Sequence, residues 1–312
     1  MALPSYASPL ERIWHYAYLV ICVAIFIFLV APILVVLPLS FNVEPYFTFT
    51  EKMLSFDPRG YSMRWYDSLL TDGMLAPEIA REGGWWSDLW KNSTWVKAAK
   101  NSLIIGFWAT ILATSLGTLA ALGLSRPEMP YRRVIMAVLI SPMIVPIIII
   151  ATGLYFFYSS PCGLIGLDCG RLTATYPGII MAHATLGIPF VIITVTATLS
   201  GFDQSLIRAS ASLGANPRTT FFKVILPLIL PGVISGALFA FVTSFDEVVA
   251  VLFIAGPEQQ TIPRQMWNGI REAISPAILA VATILVIFSI TLLATVELLR
   301  RRSERLRGVT PG

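Results

Sequence analysis

Charge is scarce in this chain. Of 312 residues only 22 are Lys or Arg and 18 are Asp or Glu, 13% together, roughly half the share usual in soluble domains. With 56% hydrophobic residues beside it, that shortage excludes an ordinary soluble globule. It also excludes disorder, which needs low hydrophobicity and high net charge. Histidine and cysteine are scarcer still, two and three residues. No disulfide scaffold, no CxxC or His/Cys cluster of metal-ligand spacing and no Ser/His/Asp arrangement follows from so few, so no metal site and no catalytic residue is expected. No G-x-x-x-x-G-K-[ST] phosphate loop occurs, and the chain is not expected to be an enzyme. A pI near 9.0 would suit a nucleic-acid binder, but the excess is only +4, and its placement decides what it means.

What the chain has in quantity is long apolar runs. A bilayer core needs about 20 apolar residues per helix, and six such runs occur, at about 14–39, 98–124, 134–158, 174–199, 228–254 and 276–299. They are continuously apolar rather than alternating, which implies helices and not barrel strands. The expected fold is an all-α polytopic membrane protein with six transmembrane helices in one domain over 1–312. The first run is too long for a signal peptide and no A-x-A site follows it, so it is expected to remain as a span. With the N-terminus inside, Arg12, Arg126, Arg132, Arg133, Arg208, Arg218, Lys223, Arg300, Arg301, Arg302, Arg305 and Arg307 are cytoplasmic, and the short outer loops keep Arg171, Arg264 and Arg271. That asymmetry places both termini inside. The Arg-rich tail reads as an anchor on anionic membrane lipid rather than a nucleic-acid binder.

The outer loop 40–97 is long and carries Trp65, Trp85, Trp86, Trp90 and Trp95 among breakers and mixed charges. It is expected to form one or two short helices near the outer interface, where Trp sits well, or a docking surface for an external partner. Cys162 and Cys169 share the second outer loop. They pair if that side is oxidising; otherwise they are small apolar residues. Cys22, in the first span, reads as inert packing.

The inner loop 201–227, GFDQSLIRASASLGANPRTTFFKVILP, reads as helix, Gly turn, helix. Asp203 or Ser205 caps the first helix, Gly214 ends it, and Asn216 caps a second with Pro217 at its first position. This run resembles the EAA loop of bacterial ABC importer permease subunits: Arg208-Ala209-Ser210 stands for the first triplet, Gly214 for the Gly, Val224 for the Ile, and Leu226-Pro227 for the end. Arg208 stands where the family has an acid, and Ser210 where it has Ala. Length, spans and loop position fit over nearly the whole chain. Trp65-Tyr66, Leu69-Leu70, Pro189-Phe190-Val191, Gly201-Phe202-Asp203, Ser244-Phe245-Asp246-Glu247 and Ile262-Pro263 look like spermidine/putrescine permease subunits, and permeases for opines or other amino-acid-like amines share parts of them.

The resemblance implies a MetI-like importer permease fold in a bacterial inner membrane. It also implies a related second permease subunit, two ATPase subunits that bind ATP and Mg, and a periplasmic substrate-binding protein. No cofactor is then expected in this chain. Arg208, Ala209, Ser210, Gly214, Ala215, Asn216 and Pro217 would form the coupling helix that docks into the ATPase. The competing class is an ion-gradient-driven secondary transporter, which calls for several intramembrane ionisable residues or repeated broken helices; one acidic pair and no evident repeat are present.

That pair, Asp246 and Glu247, holds the only acids well inside any span, and such groups suggest function. At about 1.5 Å per residue from Pro231, Asp246 lies roughly 22 Å along the fifth helix, in its outer half. Neighbouring positions point about 100° apart, so one acid faces the pathway and the other a partner helix; structural hydrogen bonds to the partner permease are the alternative. Phe241, Phe245, Tyr155 and Tyr158 would add aromatic walls for a cation, or pack the core. His183 reads as a neutral, hydrogen-bonded core residue rather than a proton relay.

Overall fold

A computed structural model describes residues 8–306 apart from 76, 78–82, 127, 162–169, 204 and 273–274. Cys162 and Cys169 therefore lie outside the described residues. Among those described, fourteen α-helices form: α1 (Pro9–Leu39), α2 (Glu51–Leu54), α3 (Arg64–Thr71), α4 (Gly83–Asn92), α5 (Thr94–Leu124), α6 (Arg132–Ile144), α7 (Ile147–Ser159), α8 (Tyr176–Ser200), α9 (Ser205–Ser212), α10 (Pro217–Thr220), α11 (Leu226–Phe245), α12 (Val249–Ile254), α13 (Ile262–Glu272) and α14 (Ala277–Leu306). Extended pairing is limited among them to one isolated bridge, Asn42 to Tyr61. The described residues gather into two compact units, one from Met1–Thr71 and Gly269–Gly312, the other from Asp72–Asn268.

Five helical segments are long and apolar enough to cross a membrane: Pro9–Leu39, Thr94–Leu124, Tyr176–Ser200, Pro217–Phe245 and Ala277–Thr295. The third expected span is not one straight helix. It divides into α6 and α7, bent by 103°. The cause is Pro146, which lacks an N–H and pushes the residue before it out of the helical region. Val145 is accordingly extended (φ −71°, ψ 136°).

In the first unit α1 opens with a reciprocal cap: the Glu11 N–H donates to Ser8 Oγ (3.3 Å) and the Ser8 N–H to Glu11 Oε2 (2.7 Å), which satisfies two donors that a helix start leaves orphaned. Past α1 the chain folds back on α3. Trp65 Nε1 donates to the Asn42 carbonyl at 2.7 Å, and buried Asn42 donates in turn to the carbonyls of Tyr46 and Thr48, both at 3.0 Å. The expected short helices of the outer loop are α2 and α3 here and α4 in the second unit.

The second unit is built on α5, α8 and α11, which pack together. Lipid tails are as apolar as the helices, so association depends on close approach and not on hiding surface from water. Small residues supply that approach. Ala109, Ala113 and Ala121 of α5, Ala184 of α8 and Ala240 of α11 are buried together with Val191, Val195 and Ile229. A Cβ on Gly117 would stand 2.7 Å from Val191 Cβ, and one on Gly236 2.9 Å from Val191 Cα. Gly236→Ala is therefore expected to destabilise the subunit by about 1–3 kcal/mol, while Gly153→Ala, whose added carbon meets open space, leaves it unchanged; thermal unfolding of the purified protein in detergent checks both.

Candidate functional site

The acidic pair does not lie on a continuous helix. The expected fifth span, 228–254, stops as a helix at Phe245 and resumes at Val249, with neither Pro nor Gly at the break. Asp246 ends α11, its N–H still bonded to the Val242 carbonyl at 3.0 Å. Glu247 turns inward instead, 8% exposed, and its Oε1 accepts the Ala250 N–H at 2.8 Å. The carboxylate thus takes the part of an N-cap, filling the acceptor position that the first turn of a helix lacks.

The other end of α12 also has partners. Arg264 Nη1 donates to the carbonyls of Val251 (3.3 Å), Ala255 (2.9 Å) and Gly256 (3.4 Å), and the Ala174 N–H donates to the Ile254 carbonyl at 2.8 Å. A negative group at the start and a positive one at the end oppose the helix dipole favourably. Burial pushes the Arg264 guanidinium below its ordinary pKa, yet arginine stays charged in proteins. The strand of chain beyond is held by Asn101, whose Nδ2 donates to the carbonyls of Glu258 (2.8 Å) and Gln260 (2.9 Å) while its Oδ1 accepts from the Tyr176 hydroxyl at 2.7 Å. Ser102 Oγ accepts the Ile262 N–H at 2.9 Å. Sequence reasoning missed all of these supports except Glu247, because Arg264 and Asn101 look like ordinary loop and helix-end polar residues until α12 is placed between them.

Asp246 remains exposed. It sits on the C-terminal end of α11, where unpaired carbonyls already carry partial negative charge, so carboxylate and helix end together favour a cation. Phe241 and Phe245 lie five residues and one residue before it with rings stacked at 5.5 Å and 23°, and the Phe241 ring leans on Gly106 of α5. The tyrosines are placed differently from each other. Tyr155 is 41% exposed, whereas Tyr158 is buried among Ile105, Ile179, Ala250, Val251 and Ile254. His183 is a hydrogen-bonded core residue, its Nδ1 2.8 Å from the Ser244 hydroxyl, two positions before Asp246.

At the opposite end of the bundle, the helix–turn–helix forms as α9 and α10. Gly214 takes φ +78°, a conformation glycine enters without steric cost. Its N–H donates to the Ala211 carbonyl (2.9 Å) and the Ala215 N–H to the Ser210 carbonyl (3.1 Å), the paired bonds of a Schellman cap. Asn216 Oδ1 then accepts the Thr219 N–H at 2.8 Å, starting α10 behind Pro217. Ser210 reaches across the turn, its hydroxyl 3.0 Å from that of Thr220, both buried. Arg208, Ala209, Gly214, Asn216 and Pro217 are exposed and Ala215 is half-buried. The Ser205 hydroxyl and amide, and then the Arg208 guanidinium, hold the Asp203 carboxyl below its usual pKa. Any stability this carboxylate lends α9 is therefore complete at neutral pH and is lost only in acid, below the ordinary carboxylate range. From Phe221 to Ile225 a π-helical turn joins α10 to α11.

A bundle of membrane helices with an interrupted helix at one end and an exposed helix–turn–helix at the other defines a transporter's membrane component. Residues 113–305 match the family described as binding-protein-dependent transport system inner membrane component, and the chain belongs to that family. It is 28% identical over 280 residues to the spermidine/putrescine transport system permease protein PotC of Haemophilus influenzae, covering 90% of this chain and 95% of that one. It is 29% identical over 312 residues to the putrescine transport system permease protein PotI of Escherichia coli (strain K12), covering 98% and 97%. Among solved structures, a bacterial ABC transporter involved in the import of the acidic polysaccharide alginate superposes with a TM-score of 0.63 at 15% identity, covering 96% of this chain and 99% of that one; this likeness is one of fold.

The capping of α12 yields a test. Arg264→Met removes the donor shared by three carbonyls and is expected to cost about 2 kcal/mol of stability, with Arg264→Lys recovering part of it; denaturation midpoints of the three proteins in one detergent check the order.

Proposed function

We propose that the chain is one of two related permease subunits in an ATP-driven importer of polyamines of the spermidine and putrescine kind, delivered by a periplasmic binding protein. The observation that carries this reading is Asp246: an exposed carboxylate on the negative end of an interrupted membrane helix, beside two stacked aromatic rings. A polyamine bears two or more positive charges, and moving them through apolar surroundings without compensation is prohibitive. A carboxylate, a helix C-terminus and aromatic faces all offer compensation that is selective for cations. The names of the PotC and PotI relatives support the same substrate class. Asp246 is assigned the contact with substrate, with Phe241, Phe245 and Tyr155 beside the pathway. Glu247 and Tyr158 serve it indirectly, the first by capping α12 and the second by packing against the same cluster.

Chemical energy enters through partners. The turn that exposes Arg208, Ala209, Gly214, Asn216 and Pro217, with half-buried Ala215 and buried Ser210 behind them, docks into one of two ATPase subunits, which bind ATP and Mg. Nucleotide-driven closure of the ATPases then swings two permeases between inward and outward states, with both termini of this chain cytoplasmic. Ser210, locked to Thr220, makes the two short helices move as one body, so a push on α9 reaches α11 through the π-helical turn. An amine-bearing opine or amino acid would suit the same carboxylate, and competition against labelled putrescine separates these substrates.

Asp246→Asn is expected to lower polyamine uptake at subsaturating substrate about tenfold or more, the scale of a lost charged contact, with assembly intact. Glu247→Gln, which keeps the acceptor that caps α12, should transport nearly normally; unchanged uptake in the Asp246 variant would remove that residue from the pathway. Gly214→Val forces a β-branched residue into the left-handed region at about 1–2 kcal/mol. It is expected to cut substrate-stimulated ATP hydrolysis while the subunit still co-purifies with its ATPase.

A further inference from the structure

A second surface is built at the end of the bundle opposite α9. The direction is fixed by packing: Ile105 of α5 lies with Ile179 near the start of α8, whereas Ala121 lies with Leu199, from which the chain runs into α9. The start of α5 is therefore at the far membrane face. One buried residue, Ser93, separates α4 from α5 and caps the latter. α4 buries Trp85 and Leu89 against Met74 and Val96, in the first turn of α5, so the helix is clamped at the mouth of a span. Its free face presents Trp86 and Trp90, one turn apart and 57% and 59% exposed. Three exposed lysines accompany them: Lys91 in the last turn of α4 and Lys97 and Lys100 in the first two turns of α5.

On α5 the exposed face continues downward from Lys97 and Lys100 to Leu103, Phe107 and Ile111. At 100° and 1.5 Å per residue these five share an arc of about 120°, with the lysines roughly 5–10 Å and Phe107 roughly 20 Å from the helix start. Cations above an apolar stripe, flanked by tryptophans, match the chemistry of a bilayer surface in order of depth: phosphates, then acyl chains.

We propose that α4 and the first turns of α5 form an interfacial anchor selective for anionic lipid on the membrane face opposite α9, with Trp86 and Trp90 seated in the headgroup layer and Lys91, Lys97 and Lys100 pairing with lipid phosphates. The lysines add a charge preference that tryptophan alone lacks. The anchor would fix the depth and tilt of α5, and with it of α8 and α11 packed against it, relative to the membrane.

The test uses the assembled transporter in nanodiscs of mixed phosphatidylglycerol and phosphatidylcholine, with one or the other brominated just below the headgroup. Tryptophan quenching by brominated lipid is expected to be larger for the natural protein than for Trp86→Phe/Trp90→Phe. The ratio of quenching by brominated phosphatidylglycerol to that by brominated phosphatidylcholine is expected above one, falling to one in Lys91→Gln/Lys97→Gln/Lys100→Gln. Equal quenching of the natural and the Trp86→Phe/Trp90→Phe proteins overturns the anchor. So does quenching of these tryptophans by aqueous iodide that is relieved only when the substrate-binding protein is added, which would make the face a protein dock. A ratio of one in the natural protein overturns the selectivity for anionic lipid.

Discussion

A helix interrupted inside packed protein needs partners for the amides and carbonyls it frees, because a buried polar group left alone costs free energy, and Ala250, Val251 and Ile254 of α12 are buried. The arrangement around α12 follows from that requirement. Six residues of helix would leave most of their polar groups at loose ends, and the fold meets them with Glu247 at the start and Arg264 and Ala174 at the finish. Asn101, Tyr176 and Ser102 then hold the chain that leaves the segment. Because Glu247 is committed to this task, Asp246 is left as the acid with a free aspect. The interruption therefore separates two adjacent carboxylates into a structural one and an available one.

The same constraint of close satisfaction governs the bundle around the break. α5, α8 and α11 approach through Gly117, Gly187, Gly232 and Gly236, and the alanines between them. Helices this close have few alternative registers, so the ends of α5 and α8 become fixed posts between which α12 is set. α7, which itself begins at a proline break, packs against α12. Two helices that each begin at an interruption thus pack together.

Much of this was legible in the residues. Apolar run length located the membrane segments, and the spacing around Gly214 gave the helix–turn–helix with its left-handed glycine and Asn216 cap. Pro146 carried the signal for the kink between α6 and α7, but a run of twenty-five apolar residues outweighs one proline when length is the criterion. The break after Phe245 carried no such punctuation. What accompanies it is the Glu247 carboxylate at the start of α12 and two partners distant in sequence, Arg264 and Ala174, at its end, and a periodicity argument cannot see them. For that reason the acidic pair was found while its geometry was not: two neighbours on one helix were expected, and the structure puts them on either side of a helix boundary.

The closure of α12 also has a temporal side. Asn101 and Ala174 precede the segment in the chain, while Arg264 follows it by ten residues beyond its last turn. During synthesis Asn101 and Ala174 are made first, the short helix next, and the guanidinium that covers its far carbonyls last. The vectorial order of translation thereby makes residue 264 the latch of this region, and a nascent chain halted before it would expose an unfinished helix end as a mark of incompleteness.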